Sequence, residues 1–156
     1  MTSYLIDLNV WLALSWRLHP NSAAAHQWLA ALPPAKTRLL FCRITQLGLL
    51  RLLTSKMVMG DSTLNIAEAF ATFDRWSEDP RVEFANEPRG LEATFRRISA
   101  ALAKQAATKA IMDAYLAALA ESERATLVTA DRALGAIARR RRAPHVVISV
   151  EQLRQA

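Results

Sequence analysis

The feature that most constrains this chain is an alternation. Short runs of apolar, strand-forming residues are separated by longer stretches whose apolar residues recur at helical spacing. Strands separated by whole helices cannot close as hairpins and instead pair in parallel through helical crossovers. The strand-type runs fall at residues 4–6, 39–42, 82–84, 126–129 and 145–149. Helical spacing covers 10–18, 23–32, 46–53, 61–77 and 132–139, and a long alanine-rich helical region reaches residue 120 with a break near 106–108. Pro33 and Pro34 stop the second helix, because proline cannot donate the backbone hydrogen bond, and Thr45 is placed as the N-cap of the third. In the helix over 61–77, Ile66, Phe70, Phe73 and Trp76 form the apolar face and Glu68 lies opposite it. The expected fold is a three-layer α/β/α sandwich around a mainly parallel central sheet of four or five strands.

At 156 residues with no internal repeat and no long linker, the chain is expected to form a single domain over 1–156. No run of about 18 apolar residues is present and the first residues lack a basic segment leading into an apolar one, so neither a membrane span nor a signal peptide is expected. One cysteine, Cys42, excludes an internal disulfide, and with three histidines it cannot supply a thiolate or zinc-finger cluster. A cytoplasmic location follows as an expectation. The net charge of +6 favours polyanionic partners without naming one. Four glycines, widely spread, allow neither a phosphate-cradling loop nor a dinucleotide fingerprint, and there is no Gly-x-Ser-x-Gly elbow.

Ligands of open parallel sheets gather at the carboxyl ends of the strands. Most of the 14 acidic residues lie among other polar residues, but three stand against apolar ones: Asp7 after Leu5-Ile6, Asp131 after a strand ending at Thr129, and Asp113 between Ile111-Met112 and Ala114-Tyr115-Leu116. Asp7 and Asp131 both fall where a strand hands over to a helix, and Asp113 lies about one turn past Thr108, the expected cap of its helix. Packed together, three carboxylates raise one another's pKa unless a cation neutralises them, and an all-oxygen donor set suits a hard ion such as Mg2+ or Mn2+. Such an ion supports phosphodiester hydrolysis. Each aspartate taken singly is equally well explained as a helix cap; only the three together point to chemistry.

The segments Tyr4-Leu5-Ile6-Asp7-Leu8-Asn9-Val10, Met112-Asp113-Ala114-Tyr115-Leu116 and Leu127-Val128-Thr129-Ala130-Asp131-Arg132 resemble the three acidic motifs of PIN-domain ribonucleases. Their order and spacing resemble the VapC toxins of bacterial toxin-antitoxin systems over essentially the whole chain. The resemblance implies a metal-dependent RNA endonuclease with Asp7, Asp113 and Asp131 as catalytic metal-binding carboxylates and Asn9 and Thr129 as polar supports. It also implies an antitoxin partner and a homodimer. The family's usual Glu after the second strand is replaced by Gln46, an oxygen donor without charge, which is expected to weaken metal binding. That departure leaves a second reading open: a weakly active or non-catalytic PIN-fold protein that binds RNA or an antitoxin. An aspartate-nucleophile phosphotransferase ranks last, because Asn9 stands where such enzymes need a second Asp.

Arg43, Arg51 and Lys109 lie near the expected crevice in sequence and are candidates for phosphate contacts in RNA, against ordinary surface roles. The run Arg139 to Arg142 supplies four positive charges and reads equally as a solvated helix end. The four tryptophans are expected in the core or a subunit contact before any role in stacking bases.

Overall fold

Residues 4–6 alternate their side chains between two apolar environments, and that alternation organises everything around them. In the computed structural model, which describes residues 1–102 and 108–149, strand β1 (Thr2–Ile6) sends Leu5 to one face of a sheet and Ile6 to the other, both fully buried. β2 (Thr37–Phe41) does the same, with Leu39 and Phe41 on Ile6's side and Leu40 on Leu5's. The other strands are β3 (Val82–Phe84), β4 (Thr126–Thr129) and β5 (His145–Val147). Among the described residues they form one sheet in the order β3-β2-β1-β4-β5, every pairing parallel.

Helices cover both faces. On Ile6's side lie α1 (Leu8–Ser15), α2 (Ser22–Ala30), α3 (Arg43–Leu53), the single turn α4 (Lys56–Met59) and α5 (Ile66–Ser77). On Leu5's side lie α6 (Leu91–Ala100), α7 (Thr108–Ser122) and α8 (Arg132–Arg140). The expected sandwich is therefore present, with a five-stranded, wholly parallel sheet. The Trp11 indole stacks on Phe41 at 3.7 Å between centroids, with Trp76 set edge-on at 5.2 Å. Each such side chain, withdrawn from water, contributes roughly 1.5–3 kcal/mol. Among the described residues no helix is long and apolar enough to cross a membrane.

Several local expectations need correction. Thr45 is not an N-cap: α3 starts at Arg43, and Thr45 Oγ1 reaches back to accept from the Cys42 N–H at 3.0 Å. The helix expected over 61–77 starts at Ile66, because Asn65 and Glu68 exchange backbone-to-side-chain bonds of 2.8 and 3.0 Å that fix its first turn. Residues 60–62 form a separate 3-10 turn. The apolar face assigned to that helix is also displaced. Ile66 and Phe70 are exposed, whereas Ala69 and Thr72 are buried, with Phe73 packed against the core. Of the break expected near 106–108, residues 106 and 107 lie outside the described residues, and α7 opens at Thr108.

Candidate active site

Strand order places the site before any side chain is considered. The chain lays down β1, β2 and β3 outward in one direction and then β4 and β5 in the other, so the order reverses between β1 and β4. At such a reversal the crossovers diverge and leave a crevice beyond the carboxyl ends. Asp7 directly follows β1 and Asp131 lies two residues beyond β4, so both flank it. α7 begins at the same edge and carries Asp113 in its second turn.

Thr129 ties the first two together. Its buried hydroxyl donates to Asp7 Oδ2 at 2.8 Å and accepts from the Asp131 N–H at 2.9 Å. Asp7 Oδ1 accepts from the Leu8 N–H at 2.7 Å, and Asp131 Oδ1 accepts from the Ala133 N–H at 2.7 Å. Both aspartates therefore do cap helices, α1 and α8. Asp113 caps nothing; it is buried in the side of α7. Lys109, one turn earlier on that helix, forms an ion pair with Asp131 Oδ2.

Proton affinities record the crowding. Burial pushes the Asp113 carboxyl up to about 6; the negative charges of Asp131 and Asp7 add to this, and the Lys109 ammonium opposes it. Burial also raises Asp7, partly offset by the bonds from Thr129 and Leu8. Burial works upward on Asp131 as well, but the Lys109 bond and the Ala133 N–H outweigh it and hold that carboxyl below the usual range. Lys109 is itself raised, first by its bond to Asp131 and then by the charges of all three carboxylates.

The remaining residues singled out in the sequence divide. Asn9 lies half-buried in the first turn of α1, beside Asp7. Gln46 is buried in α3 at the carboxyl end of β2, where its amide oxygen accepts from Arg43 Nη1. The Arg43 guanidinium also stands 4.8 Å from the Phe84 ring centroid, bridging the ends of β2 and β3. Arg51 is not brought to the edge: it sits exposed in the last turn of α3, about 12 Å along the axis from Arg43. Glu87 was not singled out in the sequence, yet it lies just beyond β3 on this edge and accepts from the Tyr115 hydroxyl at 2.7 Å. Residues 28 apart carry no local signal of such a pairing.

No metal-ligating trio is pre-formed: among the described residues, no three carboxylate, imidazole or thiol groups stand together as a finished cage. The donor chemistry nevertheless fits a hard cation. Three like-charged carboxylates perturb one another, every candidate donor is oxygen, and the one compensating charge is a lysine on a rotatable stem.

The protein class defined by this fold and edge is matched by comparison with known proteins: the PIN domain model matches residues 4–140. The chain belongs to the PIN-domain family, whose VapC members are metal-dependent ribonucleases. It is 41% identical to Ribonuclease VapC41 of Mycobacterium tuberculosis over 133 residues, covering 83% of this chain and 89% of the relative. Among solved structures, VapBC2 from Rickettsia felis bound to a promoter DNA fragment matches with a TM-score of 0.70 at 14% identity, covering 95% of this chain and 100% of that one. VapBC-1 from nontypeable Haemophilus influenzae matches with a TM-score of 0.64 at 17% identity, over 94% and 98% of the two chains. At those identities the structures speak for the fold.

Proposed function

We propose that this chain is a metal-dependent endoribonuclease, the toxin of a toxin-antitoxin pair, folded as one domain over 1–156. Asp7, Asp113 and Asp131 are its catalytic carboxylates and hold Mg2+ or Mn2+. The observation that carries this reading is the Thr129 hydroxyl bridging Asp7 and Asp131 at the reversal of strand order, with Asp113 on the adjoining helix close enough to feel both charges. The 41% identity to a named ribonuclease supports the choice of RNA.

The roles follow from the contacts. Thr129 holds the Asp7 carboxylate in one orientation and couples it to the backbone of Asp131. Asn9 borders the same cleft as a polar support, and Gln46 is a more distant one, its oxygen already taken by Arg43. A divalent ion bound by the three carboxylates supplies activation of water and neutralisation of charge at the scissile phosphate. Lys109 places a mobile cation beside Asp131, where it can meet a phosphate oxygen once the carboxylate is otherwise engaged. Arg43 lies at the flank of the edge as a second phosphate contact, while the position of Arg51 argues against that role for it. The similarity to VapBC assemblies supports a cognate antitoxin as partner; a homodimer and a cytoplasmic location complete the proposal.

Purified protein is expected to cleave RNA with Mn2+ or Mg2+, to stop with chelator, and to lose cleavage in Asp7→Asn and Asp113→Asn. Cleavage that survives both substitutions places the chemistry elsewhere. One observation favours the alternative of a weakly active or non-catalytic RNA- or antitoxin-binding protein: Gln46 is neutral, and Lys109 already occupies an oxygen of Asp131. Binding of RNA without metal-stimulated cleavage is the result that selects it.

A further inference from the structure

The edge of the sheet opposite the carboxylates holds a cavity of about 460 Å³, where α7 and α8 end and β4 and β5 begin. Along α7, Glu121 at this cavity lies about 12 Å from Asp113. Its apolar lining includes Ala117, Ala120, Ala138 and Ala143 with Leu127. Its rim carries Arg124, Arg141 and Arg142 against a single acid, Glu121. Glu121 is already shared, its two oxygens taken by Arg97 and Arg141.

Two independent details mark the rim as more than a solvated helix end. Among the described residues, the non-glycine residues in the left-handed region are Arg124 (φ 51°) and Arg142 (φ 55°), and both line this cavity. Each lies two residues past the end of a helix, α7 ending at Ser122 and α8 at Arg140, and the backbone closes around each in the same way. Ala125 N–H donates to Ala120 O and Arg124 N–H to Glu121 O; Ala143 N–H donates to Ala138 O and Arg142 N–H to Arg139 O. That closure is the one glycine ordinarily fills, because a side chain there is strained. Twice the chain bears the strain and places a guanidinium on the same rim. Neither side chain has a hydrogen-bond or ion-pair partner among the described residues. The second detail is Arg141 Nε, which is buried and without an acceptor. That donor is unmet by the protein itself among the described residues, beside the Nη2 that Glu121 holds at the cavity wall.

The carbonyl ends of α7 and α8 favour cations nearby, which accounts for some of this charge. It does not account for an orphaned N–H or for arginine in two glycine positions. Guanidinium forks match phosphate oxygens, a lining of small apolar side chains leaves room for the face of a ring, and the volume lies within the range of small-molecule sites, about 300–1,000 Å³. We propose that this cavity binds a free nucleoside monophosphate, with the phosphate on Arg124, Arg141 and Arg142 and the base against the alanine lining. The site is independent of the RNA-cleaving reading and stands or falls without it.

The test is calorimetric titration of the full chain with AMP, adenosine and inorganic phosphate, in chelator and in the Asp113→Asn background so that the carboxylate edge does not contribute. AMP is expected to bind, with adenosine and phosphate each weaker by about ten-fold or more. Arg124→Gly and Arg142→Gly place glycine where the backbone prefers it, so both variants are expected to fold with a Tm unchanged or raised and to bind AMP about ten-fold more weakly. Amide NMR shifts of Ala117, Ala138 and Ala143 on adding AMP to the unsubstituted chain give a readout that needs no variant. Absence of AMP binding, phosphate binding as tightly as AMP, undiminished affinity in both glycine variants, or unmoved alanine amides would each overturn the proposal.

Discussion

Replacing Asp113 by Asn should stabilise the metal-free protein while abolishing its activity. In chelator the Asp113 carboxyl has an ordinary value of 3.8 and a folded value of about 6, so folding favours its protonated form. The stability this contributes is fully present below pH 3.8 and is lost as pH rises through about 6. At neutral pH the wild type therefore carries an ionised carboxylate that the fold opposes. The full shift corresponds to at most about 3 kcal/mol. Screening at an edge open to solvent reduces this to about 1–2 kcal/mol, or about 3–6 °C in Tm for a chain of this size. Asparagine removes the charge and keeps the shape.

Urea unfolding of both proteins in chelator, at about pH 7.5 and about pH 5, measures the difference. The Asn variant should be the more stable at the higher pH, and the gap should narrow by about half at the lower, where the folded wild-type carboxyl takes up a proton while the unfolded one is still ionised. His19, lowered from 6.5 by burial, has the opposite dependence: its contribution is present above 6.5 and is lost as pH falls through its folded value. It is common to both proteins and cancels. Saturating Mn2+ should then stabilise the wild type more than the variant by mass action. A variant less stable than wild type at neutral pH, or a gap unchanged at the lower pH, refutes the raised Asp113 carboxyl, buried and beside two like charges, from which this reasoning starts.

Thr129→Val keeps the shape of a fully buried side chain but removes the donor to Asp7 and the acceptor for the Asp131 N–H, at an expected cost of about 2–4 kcal/mol by urea unfolding. A loss too small to measure means that water replaces both bonds. Lys109→Ala frees Asp131 Oδ2 and should tighten Mn2+ binding by calorimetry; weaker binding would show that Lys109 assists the ion instead of competing with it. Gln46→Glu should tighten Mn2+ binding more in an Arg43→Gln background than alone, because Arg43 otherwise neutralises the new carboxylate; no change in either background removes position 46 from the site. Gly48→Ala brings a methyl to within 2.6 Å of Leu8 Cδ2, beside Asp7, and should cost about 1–3 kcal/mol by thermal unfolding and lower cleavage; an unaltered rate would show that Leu8 moves without moving Asp7.

The sheet was legible because its strands are short apolar runs with helices between them, a pattern set by the strongest force in folding. The edge bearing Asp7 and Asp131 was legible for the same reason, since Asp7 follows directly on a strand and Asp131 lies two residues beyond one. What escaped was decided by contacts distant in sequence or by small polar residues. The true start of α5 depends on the mutual bonds of Asn65 and Glu68, while Ile66 and Phe70, apolar and correctly spaced, remain exposed. Thr45 looked like a cap and serves one, three residues along. The engagement of Gln46 by Arg43, and the Tyr115–Glu87 bond, depend on side-chain reach that no spacing rule encodes.

Helix capping and the proposed metal holding are compatible for Asp7 and Asp131 once their oxygens are taken one at a time. In each residue Oδ1 satisfies backbone N–H groups at the start of a helix, and Oδ2 is held by a side chain, Thr129 for Asp7 and Lys109 for Asp131. The cap removes the freedom of the carboxylate to rotate, so the second oxygen stays at the cleft without a further ordering cost when a cation arrives. Asp113 lacks that support and carries the most strongly raised proton affinity of the three, which makes it the carboxylate most in need of a positive ion. In the proposed metal site two aspartates are fixed by the fold and one is destabilised by it, so that binding a divalent ion there would relieve the electrostatic strain.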